Sequence, residues 1–149
     1  MKKVLIASDH AGFPGKEIIK QTLDRMGVSY EDLGTNSEES VDYPDYAARV
    51  ARAVARGEAE RGILVCGSGI GMVIAANKVP GIRAALAWNE ETASLSRSHN
   101  DANILAVGSR TTPPNTLNRI VQTFLNTEFA GGRHARRVEK IHGLEQDPT

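Results

Sequence analysis

An α/β fold with a parallel sheet covered by helices on both faces is predicted by three features of the chain. Short apolar runs alternate with longer amphipathic stretches from one end to the other, the pattern of βαβ crossovers. Two of those runs, Val4-Leu5-Ile6-Ala7 and Gly62-Ile63-Leu64-Val65-Cys66, are continuously apolar, as strands buried on both faces require. Turn-rich segments such as SDHAGFPG and GSGIG follow the strands directly, where ligands gather in open parallel sheets.

Each element has a local reason. After the first strand, Ile18, Ile19, Leu23 and Met26 recur near helical spacing, and Gly27 sits at the C′ position. Val28 to Leu33 is a weaker, alternating strand that suits a sheet edge. Pro44 falls in the first turn of an Ala-, Val- and Arg-rich helix ending near Gly57. The strand ending at Cys66 runs into GSGIG and a helix, MVIAANKV. Ile82 to Trp88 is a fourth strand, NEETASLSRSHN a polar helix, and Ala102 to Val107 a fifth strand. Thr112-Pro113-Pro114 opens a helix with Leu117, Ile120, Val121, Phe124 and Leu125 on its apolar face. GRHARRVEKIHGL forms a last, basic helix, about 132–143, ending at Gly143.

Composition narrows the function classes. The 149 residues carry 18 Lys+Arg and 18 Asp+Glu, a formal net charge of zero, which argues against a nucleic-acid partner or an acidic membrane surface. Length and the absence of repeats or linkers point to one domain over 1–149. One cysteine cannot close an internal disulfide, so a reducing cytoplasm is expected. The apolar run Val4–Ala7 is too short for a signal peptide, and no stretch approaches the roughly 18 apolar residues of a membrane helix.

CGSGIG, Cys66 to Gly71, is the most informative hexapeptide. Glycines at alternate positions let the backbone turn tightly and aim successive N–H groups at one oxygen-rich ligand. A P-loop, a dinucleotide fingerprint and a cysteine-phosphatase loop each require a residue that Met72 replaces. Cys66 itself has two readings: an inert small hydrophobe, or a thiolate stabilised at the mouth of an anion-binding loop and able to act as nucleophile or base. Asp9-His10 follows the first strand and is either a helix cap with a solvated histidine or part of a site. His99 can give and accept protons near neutrality; Asn100-Asp101 beside it also suits a plain turn. Metal binding by His10, His99 and Asp101 lacks any zinc-site spacing, so no metal is expected. Arg133 and Arg137, four residues apart, share one helical face and suit a phosphate, or else form a solvated basic face. Arg110 adds a cation just past the fifth strand.

Taken together, SDHAG, GT with Asp42-Tyr43-Pro44, CGSGIG, AANK at Ala75 to Lys78, SRSHNDANIL and GGRHARRV resemble the B-type ribose-5-phosphate isomerase family, which also includes allose- and galactose-6-phosphate isomerase subunits. The resemblance runs from residue 1 to about 142. It implies a Rossmann-like α/β/α sandwich with a five-stranded parallel sheet. It further implies aldose–ketose isomerisation of ribose 5-phosphate and ribulose 5-phosphate without metal or organic cofactor, and a homodimer with shared sites; pairing of dimers into a tetramer is left open. By the same resemblance, Cys66 matches the proton-abstracting base and His99 the ring-opening residue. Ser68 stands where many members have Thr, and its hydroxyl, with the N–H groups of Gly69 to Gly71, would meet the oxyanion. Asp9, His10, Gly67, Gly69, Ile70, Gly71, Asn100, Arg110, Arg133 and Arg137 match ligand-contacting positions, and Tyr43 a position beside the base. Members that use a Glu near the loop have no counterpart here, where Met72-Val73-Ile74 stands. An isomerase of a six-carbon phosphosugar, a non-catalytic phosphosugar sensor and a nucleotide-binding regulatory module are the competing expectations.

Overall fold

A computed structural model describes residues 3–146. The strands are β1 (Val4–Ser8), β2 (Tyr30–Asp32), β3 (Arg61–Cys66), β4 (Ala84–Leu86) and β5 (Ile104–Gly108). The helices are α1 (Phe13–Met26), α2 (Tyr43–Ala55), α3 (Ile70–Ala76), α4 (Glu90–Ser98), α5 (Pro114–Asn126) and α6 (Arg133–Gly143). The strands form one sheet in the order β2-β1-β3-β5-β4, with every neighbouring pair parallel.

Alternate strand residues point to opposite layers. Val4, Ile6, Ile63, Val65, Leu105 and Val107 pack with Ile19 and Leu23 of α1, Ala93 of α4, and Leu117, Ile120 and Phe124 of α5. Leu5, Ala7, Leu64, Cys66, Ile104 and Ala106 pack with Ala47, Val50 and Val54 of α2 and Met72 and Ala76 of α3. The helix layers follow from handedness. Crossovers that move along the sheet from β2 toward β4 carry α2 and α3; those that return carry α1 and α4. A single crossover hand demands this segregation. Phe124 is fully buried in the first layer, and truncating such a side chain costs about 3–5 kcal/mol.

Element ends have identifiable causes. Pro14 lies in the first turn of α1, and Gly27 caps it at φ +70° with its N–H on the Leu23 and Asp24 carbonyls. Asn89 and Thr92 form a reciprocal capping box on α4. The structure starts α3 two residues earlier than the sequence pattern suggests and ends it at Ala76. There the Asn77 side chain turns to β4, accepting from the Ala84 amide at 2.8 Å and donating to the Ala84 carbonyl at 2.9 Å. β4 is shorter than Ile82–Trp88, because as an edge strand it pairs with β5 alone. β2 is the opposite edge. α6 buries only Val138, so most of its surface has no packing partner within the chain.

Candidate active site

Strands β1, β3 and β5 are neighbours, so the segments leaving their carboxyl ends converge. The amides of Ser109 and Arg110 donate to the Cys66 and Gly67 carbonyls at 2.8 and 2.9 Å. This holds the β5 exit against the β3 exit. Cys66, the last residue of β3, is buried within the apolar layer at the base of this junction.

The glycine loop wraps the thiol. The Gly69 amide donates to Cys66 Sγ at 3.1 Å. Gly69 has φ +81°, and a Cβ there would lie 2.9 Å from the Val107 carbonyl carbon, so both conformation and space require glycine. The Ile70 amide donates to Ser68 Oγ at 3.2 Å. Tyr43, at the start of α2, lies over the opening of α3: a Cβ on Gly71 would meet its ring at 2.6 Å. The loop's amides are therefore divided: that of Gly69 turns inward to the sulfur, while those of Ile70 and Gly71 open α3.

A cavity of about 670 Å³ stands over this loop, lined by Asp9, His10, Tyr43, Cys66, Gly67, Ser68, Ile70, Gly71 and Arg110, with Ala11, Ile74 and Thr111 completing it. Asp9 is nearly buried, and its Oδ1 accepts from the Gly12 amide at 2.8 Å in the turn before α1, whose N-cap is Gly12 and not Asp9. His10 Nδ1 accepts from the Val41 amide at 3.1 Å. Thr111, which directly follows Arg110, also lines the cavity and is marked by no motif of its own. Ile74 and Val41 carry no local signal, because the fold alone brings them here.

His99, Asn100, Arg133 and Arg137 lie outside this cavity. α4 carries the chain back from the carboxyl edge of the sheet, about 13 Å along nine residues. The segment after it reaches the amino-terminal edge, where the Gly62 amide donates to the Asn103 carbonyl. His99 caps the end of α4 and stacks on His134 of α6, with centroids 4.2 Å apart and planes 12° from parallel. Desolvation pushes the His134 imidazole below its ordinary value, and His99, Arg133 and Arg137 push it the same way. Arg133 and Arg137 are exposed. Asn100 lines a second cavity, about 630 Å³, along β4 with Trp88, Leu95 and Ile141. The Asp101 carboxylate is engaged by Arg97 at 2.8 Å and Arg83 at 3.5 Å. Among the described residues, no three His, Cys, Asp or Glu side chains meet in a metal-holding cluster.

A parallel α/β sheet with a thiol and an amide-rich loop at its carboxyl edge is the layout of an enzyme acting on a small oxygen-rich molecule. The chain belongs to the ribose/galactose isomerase family, whose model matches residues 4–141. It is 49% identical over 146 residues to the ribose-5-phosphate isomerase B of Escherichia coli (strain K12), with 98% of each chain covered. The structure of Clostridium thermocellum ribose-5-phosphate isomerase B matches with a TM-score of 0.95 at 52% identity, over 97% of both chains. That of Mycoplasma genitalium ribose-5-phosphate isomerase B with bound ribulose-5-phosphate matches with a TM-score of 0.92 at 43% identity, over 97% of both chains. The Rossmann-like α/β/α sandwich with a five-stranded parallel sheet is thus both observed and shared. No helix among the described residues is long and apolar enough to cross a membrane.

Proposed function

We propose that the protein is an aldose–ketose isomerase interconverting D-ribose 5-phosphate and D-ribulose 5-phosphate, with residues 1–149 acting as one phosphosugar isomerase domain. Family membership together with about 50% identity to ribose-5-phosphate isomerases B over nearly the full chain supports the reaction. The single observation that carries the chemistry is the Cys66 thiol under the glycine loop, with the Gly69 amide donating to its sulfur. Such a donor favours negative charge on sulfur.

In this reading the chemistry needs neither metal nor organic cofactor. The sugar enters as a closed furanose. The partner subunit's His99 takes the proton from the anomeric hydroxyl and passes it to the ring oxygen as the bond from C1 to that oxygen breaks, which frees the aldehyde. The Cys66 thiolate then removes the C2 proton, leaving an enediolate. Returning that proton to C1, while a proton passes from O2 to O1, completes the ketose. The Ser68 hydroxyl and the amide of Gly71 face the developing oxyanion. Asp9, His10, Tyr43 and Arg110 hold the sugar, and Arg133 and Arg137 of a second copy take the phosphate.

A second copy is part of the proposal because the candidate residues separate within one chain. His99, Arg133 and Arg137 are excluded from the Cys66 cavity, and α6 buries a single side chain. Ile70 and Ile74 beside the loop, and Trp88 and Ile141 along β4, leave large apolar surface exposed. A homodimer with shared sites would cover such surface and complete each centre. A single free thiol suits a reducing compartment, so the proposal includes the cytoplasm.

The test is turnover of ribose 5-phosphate and of allose 6-phosphate, each with and without chelator. Preferred conversion of the pentose phosphate, unaffected by chelator, supports the reading; binding without turnover of either sugar overturns it.

A further inference from the structure

The mechanism makes no use of the most deeply buried charge among the described residues. The Lys16 side chain, on α1, has no solvent exposure. Burying an ammonium costs several kcal/mol unless its protons are taken up, and here the acceptors come from the last residue of β2 and the segment that follows it. Lys16 Nζ donates to Asp32 Oδ1 at 2.7 Å and to the Thr35 carbonyl. Asp32 Oδ1 also accepts from the Gly34 amide at 2.9 Å, and Oδ2 from Lys20 Nζ at 2.9 Å. The same segment is stitched to the end of β1: the Ser8 amide donates to the Gly34 carbonyl at 2.7 Å and the Thr35 amide to the Ser8 carbonyl at 2.8 Å.

Residues 36–40 then run exposed, and the next anchor is Val41, whose amide donates to His10 Nδ1. Two residues later Tyr43 begins α2 over Gly71. A ring nitrogen that accepts from an N–H carries no proton, so the neutral His10 imidazole must carry its proton on Nε2. Since His10 lines the Cys66 cavity, its tautomer determines whether it offers the sugar phosphate a donor or an acceptor.

We infer that Lys16 is a positioning residue of the site: by clasping Asp32 and Thr35 it holds the β2–α2 segment so that the Val41 amide locks His10 as an Nε2–H donor. The role of that donor in ligand binding rests on the isomerase reading; the clasp and the tautomer do not. A lysine that served stability alone would leave the tautomer and the substrate affinity unmoved.

Long-range ¹H–¹⁵N correlation spectra of ¹⁵N-histidine-labelled protein, recorded well above the usual imidazole range, report the His10 tautomer directly. The native protein is expected to show a single Nε2–H form. Lys16→Met, and Val41→Pro, which removes the donating amide but leaves the clasp, are each expected to give a tautomer mixture. Both should raise KM for ribose 5-phosphate about tenfold, with kcat within about twofold, since one charge-assisted contact is loosened. Should Lys16→Met not fold, Asp32→Asn probes the clasp with a neutral side chain of the same shape, and the same mixture is expected. A single Nε2–H tautomer retained in every folded clasp variant, or KM unchanged in them, overturns the inference. Failure of the native protein to turn over ribose 5-phosphate, while the tautomer still shifts in the variants, overturns the isomerase reading and leaves the clasp standing.

Discussion

The Gly69 amide points at the Cys66 sulfur from 3.1 Å, and it can do so only because residue 69 adopts φ +81° against the Val107 backbone. The turn that shapes the loop and the donor that steadies the thiolate are therefore one residue. Gly69→Ala is expected to lose about 1–3 kcal/mol of stability from the left-handed backbone and the contact, measured by urea unfolding. Its kcat should fall by tenfold or more, on the order expected for one lost charge-assisted hydrogen bond. Full turnover in a stably folded Gly69→Ala would separate the loop's shape from its chemistry.

Cys66→Ala removes the proposed base while leaving the rest of the cavity lining in place. Isomerisation is expected to fall by at least about 10²–10⁴-fold, the range of a positioned general base. Calorimetric binding of ribose 5-phosphate should stay close to that of the native protein. Near-native turnover would refute the assignment of the base.

Tyr43 and Gly71 are expected to be coupled. A methyl at 71 would intrude on the Tyr43 ring at 2.6 Å, so Gly71→Ala must displace the ring or the start of α3. In the Tyr43→Ala background that clash is absent, and the same substitution should cost little more. A double-mutant cycle on kcat/KM reads a coupling of about 0.5–3 kcal/mol if the contact operates in the enzyme. Strict additivity would mean that it does not.

Sites shared between two copies predict complementation. Cys66→Ala and His99→Asn should each be inactive in ring-closed ribose 5-phosphate assays. Mixed after reversible dissociation, half of the dimers would be hybrids with one intact centre of two, restoring about a quarter of native activity. A mixture as inactive as its parents would confine each site to a single chain.

Acid should loosen the β2–α2 segment. Burial pushes the Asp32 carboxyl up, but the hydrogen bonds from Lys16, the Gly34 amide and Lys20 outweigh it, and the net shift is downward from 3.8. A carboxyl depressed in the fold contributes stability that is present above its unfolded value and lost as pH falls through its folded one. The urea midpoint of the native protein is therefore expected to drop as pH falls below about 3.8. The drop should be shallower for Asp32→Asn, whose side chain does not titrate; equal slopes would count against the depressed carboxyl.

Much of this was legible in the sequence because it depends on near neighbours. Apolar runs specified four strands and a weaker alternating pattern the edge strand β2, Pro44 and Gly27 specified helix ends, and CGSGIG at the end of a buried strand marked the loop; Pro14, within a turn-rich segment, gave no such signal although it lies in the first turn of α1. Where the pattern misjudged extent, tertiary pairing was responsible: β4 stops short because only β5 supports it, and α3 ends where Asn77 is drawn to Ala84.

Local patterns in the chain are enough for the α/β class, the position of Cys66 beneath a turn that needs glycine, and the presence of a cationic helix on a neutral chain. Which of these residues meet depends on how the whole chain packs. The order β2-β1-β3-β5-β4 gathers Asp9, His10, Cys66 and Arg110 at one edge, while the antiparallel return of α4 carries His99 to the other. It also turned the Gly69 amide inward to sulfur and set the Val41 amide on His10. The reason is physical. Periodicity and turn chemistry are encoded within a few residues, whereas strand order, crossover hand and the burial of Lys16 are settled by packing between segments distant in the chain.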